Sequence, residues 1–252
     1  MLELDRVRLK EEARGILLAA RVSPYLFALL YLVLTDVLKS VQTYTSGSLV
    51  NYMQRVYPGL PVPDFLLRAA SLPSYVPAFV TAVTFLLGAL LEAGFALYHL
   101  GVRRGEEQPY ATLFGAFDQA GRVILLAVIR GALILLGSML FFIPGIILSY
   151  RYSFAMYDLM EDPELRPVDA LRMSAAQTYG FKWALFLLDL SFLGWWILSA
   201  FTMGLLYIWV APYYAQTVVG YFQTIKRAKG IGHFPAGEEP CPGGGDPFGP
   251  AV

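Results

Sequence analysis

Charge is what this chain has little of. Of its 252 residues, 19 are Lys or Arg and 19 are Asp or Glu, 15% in all, against roughly 25% in a typical soluble domain. The two signs balance, so no basic surface points to nucleic acid as a partner. The single cysteine, Cys241, excludes an intramolecular disulfide and any Cys-based metal cluster. Histidine is nearly absent too, with only His99 and His233. No HExxH pair, nucleophile elbow or phosphate loop is present, so the motifs that announce an enzyme are missing. A short apolar region followed by a small-residue cleavage site is also lacking, so no cleaved signal peptide is expected at the N-terminus.

What fills the chain instead is apolar: 57% of residues are hydrophobic. The few charges cluster at 3–14, 103–107, 158–172 and 226–239, between long apolar runs. That alternation predicts an all-α, polytopic membrane bundle. Residues 2–20 alternate acids and bases on one side of a helix, with Val7, Ala13, Ile16 and Leu17 among the apolar positions. They read as an interfacial amphipathic helix or a solvated helical extension. Ser23-Pro24 is an N-cap followed by a proline suited to the first helical position, so a new helix starts there. The first span is expected over 24–39 and the second over 75–98. Between them lies a proline-punctuated connection in which Asp64–Leu72 forms a short interfacial helix. A further interfacial helix follows Pro109, with Phe114 and Phe117 on one side.

From Val123 to Met160 the chain is almost continuously apolar for 38 residues, about 57 Å of straight helix and nearly two bilayer thicknesses. Pro144 disfavours helix at Ile143 and Gly145 frees the backbone, so two spans, 123–142 and 146–160, are expected with a hairpin at Pro144-Gly145. Spans at 183–200 and 203–224 complete six. With the N-terminus cytoplasmic, the basic loops Arg103/Arg104/Arg122, Arg166/Arg172/Lys182 and Lys226/Arg227/Lys229 all fall inside, whereas five spans would export the last. Residues 1–229 thus read as one membrane-embedded domain, and 230–252, rich in Gly and Pro, as a disordered cytoplasmic tail.

The second half carries a series of landmarks: Ile143-Pro144-Gly145, Asp162-Pro163, Ser174, Gly180, Ser191-Phe192-Leu193-Gly194-Trp195, Thr202-Met203-Gly204 and Pro212-Tyr213. In this order they resemble the bacterial integral-membrane family of domain of unknown function 975. The resemblance covers about 85 residues and is looser in the first half, through LKEEAR, the Gly94 region and LFGAF. It departs at Tyr179, where the family pattern has a basic residue. It implies a multi-pass protein of a bacterial cytoplasmic membrane. It implies no reaction, and hence no catalytic residue or cofactor.

Six ionisable residues fall inside predicted spans: Asp36, Glu92, Arg130, Arg151, Asp158 and Asp189. Such residues are functional candidates because an unpaired charge in lipid costs at least ~2.5–3.5 kcal/mol. Counting from span ends puts Glu92 and Asp189 roughly 9 Å from the cytoplasmic face, Arg130 roughly 10–13 Å from it, and Arg151 roughly 9 Å below the outer face near Asp36. Two groups follow: Arg130 with Glu92 or Asp189, and Arg151 with Asp36. They are either ion pairs that fix helix register or a polar cavity that binds an anionic substrate or lipid headgroup. The tryptophans and tyrosines near span ends read as interfacial anchors. Gly131, Gly137, Ser138, Gly194, Ser199 and Gly204 read as close helix-packing positions.

Three functions remain open. A non-enzymatic scaffold or assembly factor binding a lipid or hydrophobic ligand, with membrane lipids as partners and self-association possible, is the leading one. A transporter or channel with discontinuous helices at Pro144-Gly145 and Pro212 is the alternative. A lipid-headgroup enzyme using Asp158, Glu161, Asp162 and Glu164 to hold a divalent cation is the weakest.

Overall fold

The computed structural model describes residues 6–59 and 61–232, and every regular element among them is helical. The expected disordered tail lies, beyond Gly232, outside the described residues, together with His233 and Cys241. Eleven α-helices run in order among the described residues: α1 (Arg6–Ala19), α2 (Pro24–Thr45), α3 (Ser48–Val56), α4 (Asp64–Ala70), α5 (Tyr75–Arg103), α6 (Ala120–Leu140), α7 (Phe142–Arg151), α8 (Ala155–Glu161), α9 (Pro167–Thr178), α10 (Lys182–Phe201) and α11 (Tyr207–Lys229). A 3-10 segment, Tyr110–Gln119, precedes α6. Among the described residues four stretches are long and apolar enough to cross a membrane: Pro24–Thr45, Tyr75–Arg103, Tyr110–Leu140 and Lys182–Phe201.

The start of α2 follows from its capping chemistry. Ser23 accepts the Leu26 amide at 3.5 Å, and Pro24 occupies the first turn, where its missing N–H is no loss. The helix then runs past the expected end at residue 39, because Ser40-Val41-Gln42 contains no breaker. Thr45 hands over instead to Ser46 and to Gly47 with φ 65°. Lys39 is therefore six residues inside the helix, not at its edge. α5 is extended likewise, to Arg103.

The break after α6 falls at Phe141, whose backbone is extended (φ −157°, ψ 150°), three residues before the expected Pro144-Gly145. Pro144 sits instead in the first turn of α7, where a helix tolerates proline because the first amides lack intrahelical partners. The hairpin closes tightly: a side chain on Gly145 would collide with Ser138, and one on Gly137 with Leu148. The expected span 146–160 is in fact two short helices. Between α7 and α8 the chain turns at 152–154, and α9 seals the gap. The Ser174 hydroxyl donates to the Arg151 carbonyl and accepts the Phe154 amide, both at 3.1 Å, and Thr178 donates to the same carbonyl at 3.1 Å. The orphaned backbone groups of the break are thereby satisfied.

At the centre lies α11, buried or half-buried all round from Val210 to Lys226 and packed by α1, α2, α5, α9 and α10. The outer helices leave apolar faces uncovered. In the Tyr110–Leu140 stretch only 11% of the apolar window is buried within the protein, and Leu136, Met139, Leu140 and Phe141 at the hairpin tip are all exposed. Apolar surface on this scale matches lipid rather than water as solvent. The basic clusters converge at one end of the bundle. There Arg103 reaches Glu12 and Gln223, Arg104 and Lys226 both reach Glu161, Arg122 reaches the Leu165 carbonyl, and Lys229 donates to the Tyr179 carbonyl.

Candidate functional site

Polar residues in the C-terminal half of α2 and the middle of α5 would be unfavourable against lipid, and the fold turns them toward each other. α2 runs antiparallel to α5, with Phe27 stacked on Tyr98 at 3.6 Å near one end and Gln42 donating to Thr81 at 3.4 Å near the other. Between these contacts the helices separate, and the α10–α11 turn closes one side. The resulting cavity, about 660 Å3, is lined by Tyr31, Thr35, Asp36, Lys39 and Gln42 of α2, Thr81, Thr84, Gly88 and Glu92 of α5, and Met203, Gly204 and Tyr207. Asp36 lies twelve residues into α2, about 18 Å along it and well inside a bilayer core of ~30 Å.

A second cavity of about 320 Å3 lies on the other side of the same α5 residues. It shares Thr84, Phe85, Gly88 and Glu92, and adds Arg130, Gly131, Ala127 and Ile134 of α6 with Met156 of α8. Arg130 Nη1 contacts Glu92 Oε1 at 3.1 Å. The arginine side chain is 23% exposed and the glutamate 51%, so the carboxylate still faces open space while its charge is balanced. A third groove, about 680 Å3, continues from Asp36 and Lys39 toward Ser40, Thr43 and Tyr44 and is closed by Phe65 and Leu66 of α4.

Of the residues singled out in the sequence, Asp36, Glu92 and Arg130 meet at these cavities, and Arg151 and Asp189 do not. Asp189 accepts hydrogen bonds from Tyr150 and Tyr214, both at 2.7 Å, and so ties α7 and α11 to α10 rather than pairing with Arg130. Arg151 does not reach Asp36. Its guanidinium lies 5.9 Å over the neighbouring Tyr152 ring, because the break after α7 turns it away. Sequence reasoning misses Lys39 and the hydroxyl-bearing lining of Thr35, Thr81, Thr84 and Tyr207. Their signal is a polar stripe on α2 and α5, visible once α2 is allowed to run to Thr45.

Residues 122–229 match the model of a family described as a protein of unknown function (DUF975). No curated protein and no solved structure matches the chain. The DUF975 segment spans α6 to α11 and so brings Arg130, Met203 and Tyr207 to the cavities. Asp36, Lys39 and Glu92 come from helices upstream of it. Within the DUF975 segment the landmark Ser174 is the residue that seals the α7–α8 break, Trp195 borders a small groove beside Arg14, and Tyr213 carries the Arg14 guanidinium 5.2 Å over its ring. Its acidic stretch is occupied internally. Glu161 is held by Lys226 at 2.5 Å and by Arg104 at 3.2 Å, and Asp158 accepts from Gln177 at 2.8 Å. Among the described residues no group of three or more His, Cys, Asp or Glu side chains is placed to hold a metal ion.

Proposed function

We propose that this is an integral protein of a bacterial cytoplasmic membrane that binds a lipid-like amphiphile in the cavity lined by Asp36, Lys39 and Glu92 and serves as a scaffold without a catalytic step. In this reading the chain crosses six times, through α2, α5, α6, the α7–α8 pair, α10 and α11, with both termini in the cytoplasm. The gathering of the basic clusters at one end supports that orientation. The observation that carries the binding role is the 660 Å3 cavity itself: charged and hydroxyl groups at membrane depth, bordered by Leu32, Leu38 and Phe85. A space of this size and mixed lining suits a ligand with a polar head and apolar chains.

Gly88 provides the test. It lines both cavities, and a Cβ added to it meets nothing within 4 Å. Gly88→Leu therefore fills the space without a clash and raises helix propensity by up to ~1 kcal/mol. Native mass spectrometry of the purified protein should show a co-purifying lipid on the wild type and its loss from the variant at an unchanged melting temperature. Equal lipid occupancy in both would overturn the assignment.

Transport is the second reading, favoured because Glu92 lines both cavities and its pair with Arg130 stands at their junction. Movement of a fluorescent lipid between leaflets of reconstituted vesicles, faster in Glu92→Gln, would favour transport. No movement in either protein favours the scaffold.

A further inference from the structure

Several polar groups around the 660 Å3 cavity are committed. The Thr35 hydroxyl donates to the Tyr31 and Leu32 carbonyls, the Gln42 amide to Thr81, and Glu92 is charge-paired with Arg130. Of the charged groups, two are left. Asp36 and Lys39, one turn apart on α2, both line this cavity and the adjoining outer groove, and among the described residues neither makes a hydrogen bond or an ion pair, even with the other. A bare carboxylate and a bare ammonium at this depth are unfavourable in hydrocarbon. They are also arranged as a separated pair of opposite sign, in a lining whose one other charge, Glu92, is balanced by Arg130 of the second cavity.

We infer that the cavity selects a zwitterionic phospholipid head, its ammonium against Asp36 and its phosphate against Lys39; this rests on the amphiphile-binding reading above. An anionic head brings a phosphate to Lys39 and also sets uncompensated negative charge beside Asp36. A cationic amphiphile satisfies Asp36 and is repelled by Lys39. A zwitterion meets both groups at once and leaves the site neutral, which a low-dielectric surrounding favours. The acyl chains have an apolar path past Leu38 and Phe85 to Met203, which is 99% exposed at the rim.

The test titrates delipidated full-length protein in detergent with phosphatidylethanolamine and with phosphatidylglycerol of identical acyl chains, read by native mass spectrometry. The wild type should bind the zwitterionic lipid at least about tenfold more tightly, the worth of one hydrogen bond to a charged group. Asp36→Asn should erase that preference, Lys39→Gln should weaken the zwitterion about tenfold for the same reason, and Gly88→Leu should abolish both. Equal affinity for the two lipids, or tighter phosphatidylglycerol, with both still lost in Gly88→Leu overturns the head selection and leaves the binding cavity standing. Binding that is absent from the wild type, or insensitive to Gly88→Leu, overturns the cavity and the selection together.

Discussion

At the scale of single residues, the Arg130–Glu92 contact is the one whose removal is most informative. Both side chains lie on helices long enough to span a membrane, and the contact is 3.1 Å. Removing either partner leaves the other uncompensated, at a cost of at least ~2.5–3.5 kcal/mol in hydrocarbon. We predict that Arg130→Glu and Glu92→Arg each lower the melting temperature of the detergent-solubilised protein and that the double swap recovers most of the loss. If the swap restores stability but not lipid binding, the pair is part of the site as well as a staple. This contact is legible in the sequence because opposite charges at matched depth on long helices have few other partners. The Asp189 contact is not. Its partners are tyrosine hydroxyls, and Tyr150 and Tyr214 look like interfacial anchors until the backbone places them beside α10. Depth counting also misplaces Arg151, since it assumes an unbroken helix from the hairpin to residue 160.

At the scale of elements, glycine positions separate into two kinds that composition cannot tell apart. Gly94 is crossed by the 3-10 segment, and a methyl group there would fall on the Leu113 carbonyl. Backbone has nowhere to retreat, so Gly94→Ala must displace the whole segment that leads into α6. Gly194, expected to be a packing position, would place a methyl group with nothing within 4 Å of it, and it faces outward from α10. Gly194→Ala should therefore be neutral or stabilising by up to ~1 kcal/mol through helix propensity. Gly94→Ala should lower stability by several-fold more than that gain, as overpacking of a fixed backbone does. Comparative thermal unfolding of the two single variants in one detergent decides it, and equal melting temperatures would contradict the close crossing. Gly204 belongs to neither kind. Its φ of 85° and that of its neighbour Met203, 51°, mark it as a turn residue. The same scale explains why the sequence points to a hairpin three residues late: Pro144 reads as a breaker, although a proline in a first turn is compatible with helix.

At the scale of the molecule, the hydropathy of a helix reports its surroundings as much as its path. α11 is 23 residues long, more than the ~20 needed to span, yet it is not among the four apolar candidates. Its neighbours supply the reason. Gln216 reaches the His99 carbonyl at 3.1 Å, Gln223 takes Arg103, and Lys226 takes Glu161, so its polar residues are met by protein rather than lipid. The outer helices carry the strongest apolar signal, and the central one, read as a span over 203–224 in the sequence, carries a weaker one. The charge pattern is insensitive to this, because it depends only on which loops lie at which end. Arg103, Arg104, Arg122, Lys226 and Lys229 all reach partners at one end of the bundle, the end to which α1 and the last turn of α11 also belong. If that end faces the cytoplasm, the tail that follows α11 is cytoplasmic as well. Cys241, the single cysteine of the chain, is a native reporter of that placement. A membrane-impermeant maleimide applied to intact bacterial cells whose outer barrier has been removed should leave the protein unlabelled, and the same reagent applied after membrane rupture should label it. Labelling of intact cells would put the basic end outside, contrary to the electrostatic preference for retained Lys and Arg, and with it an inverted bundle.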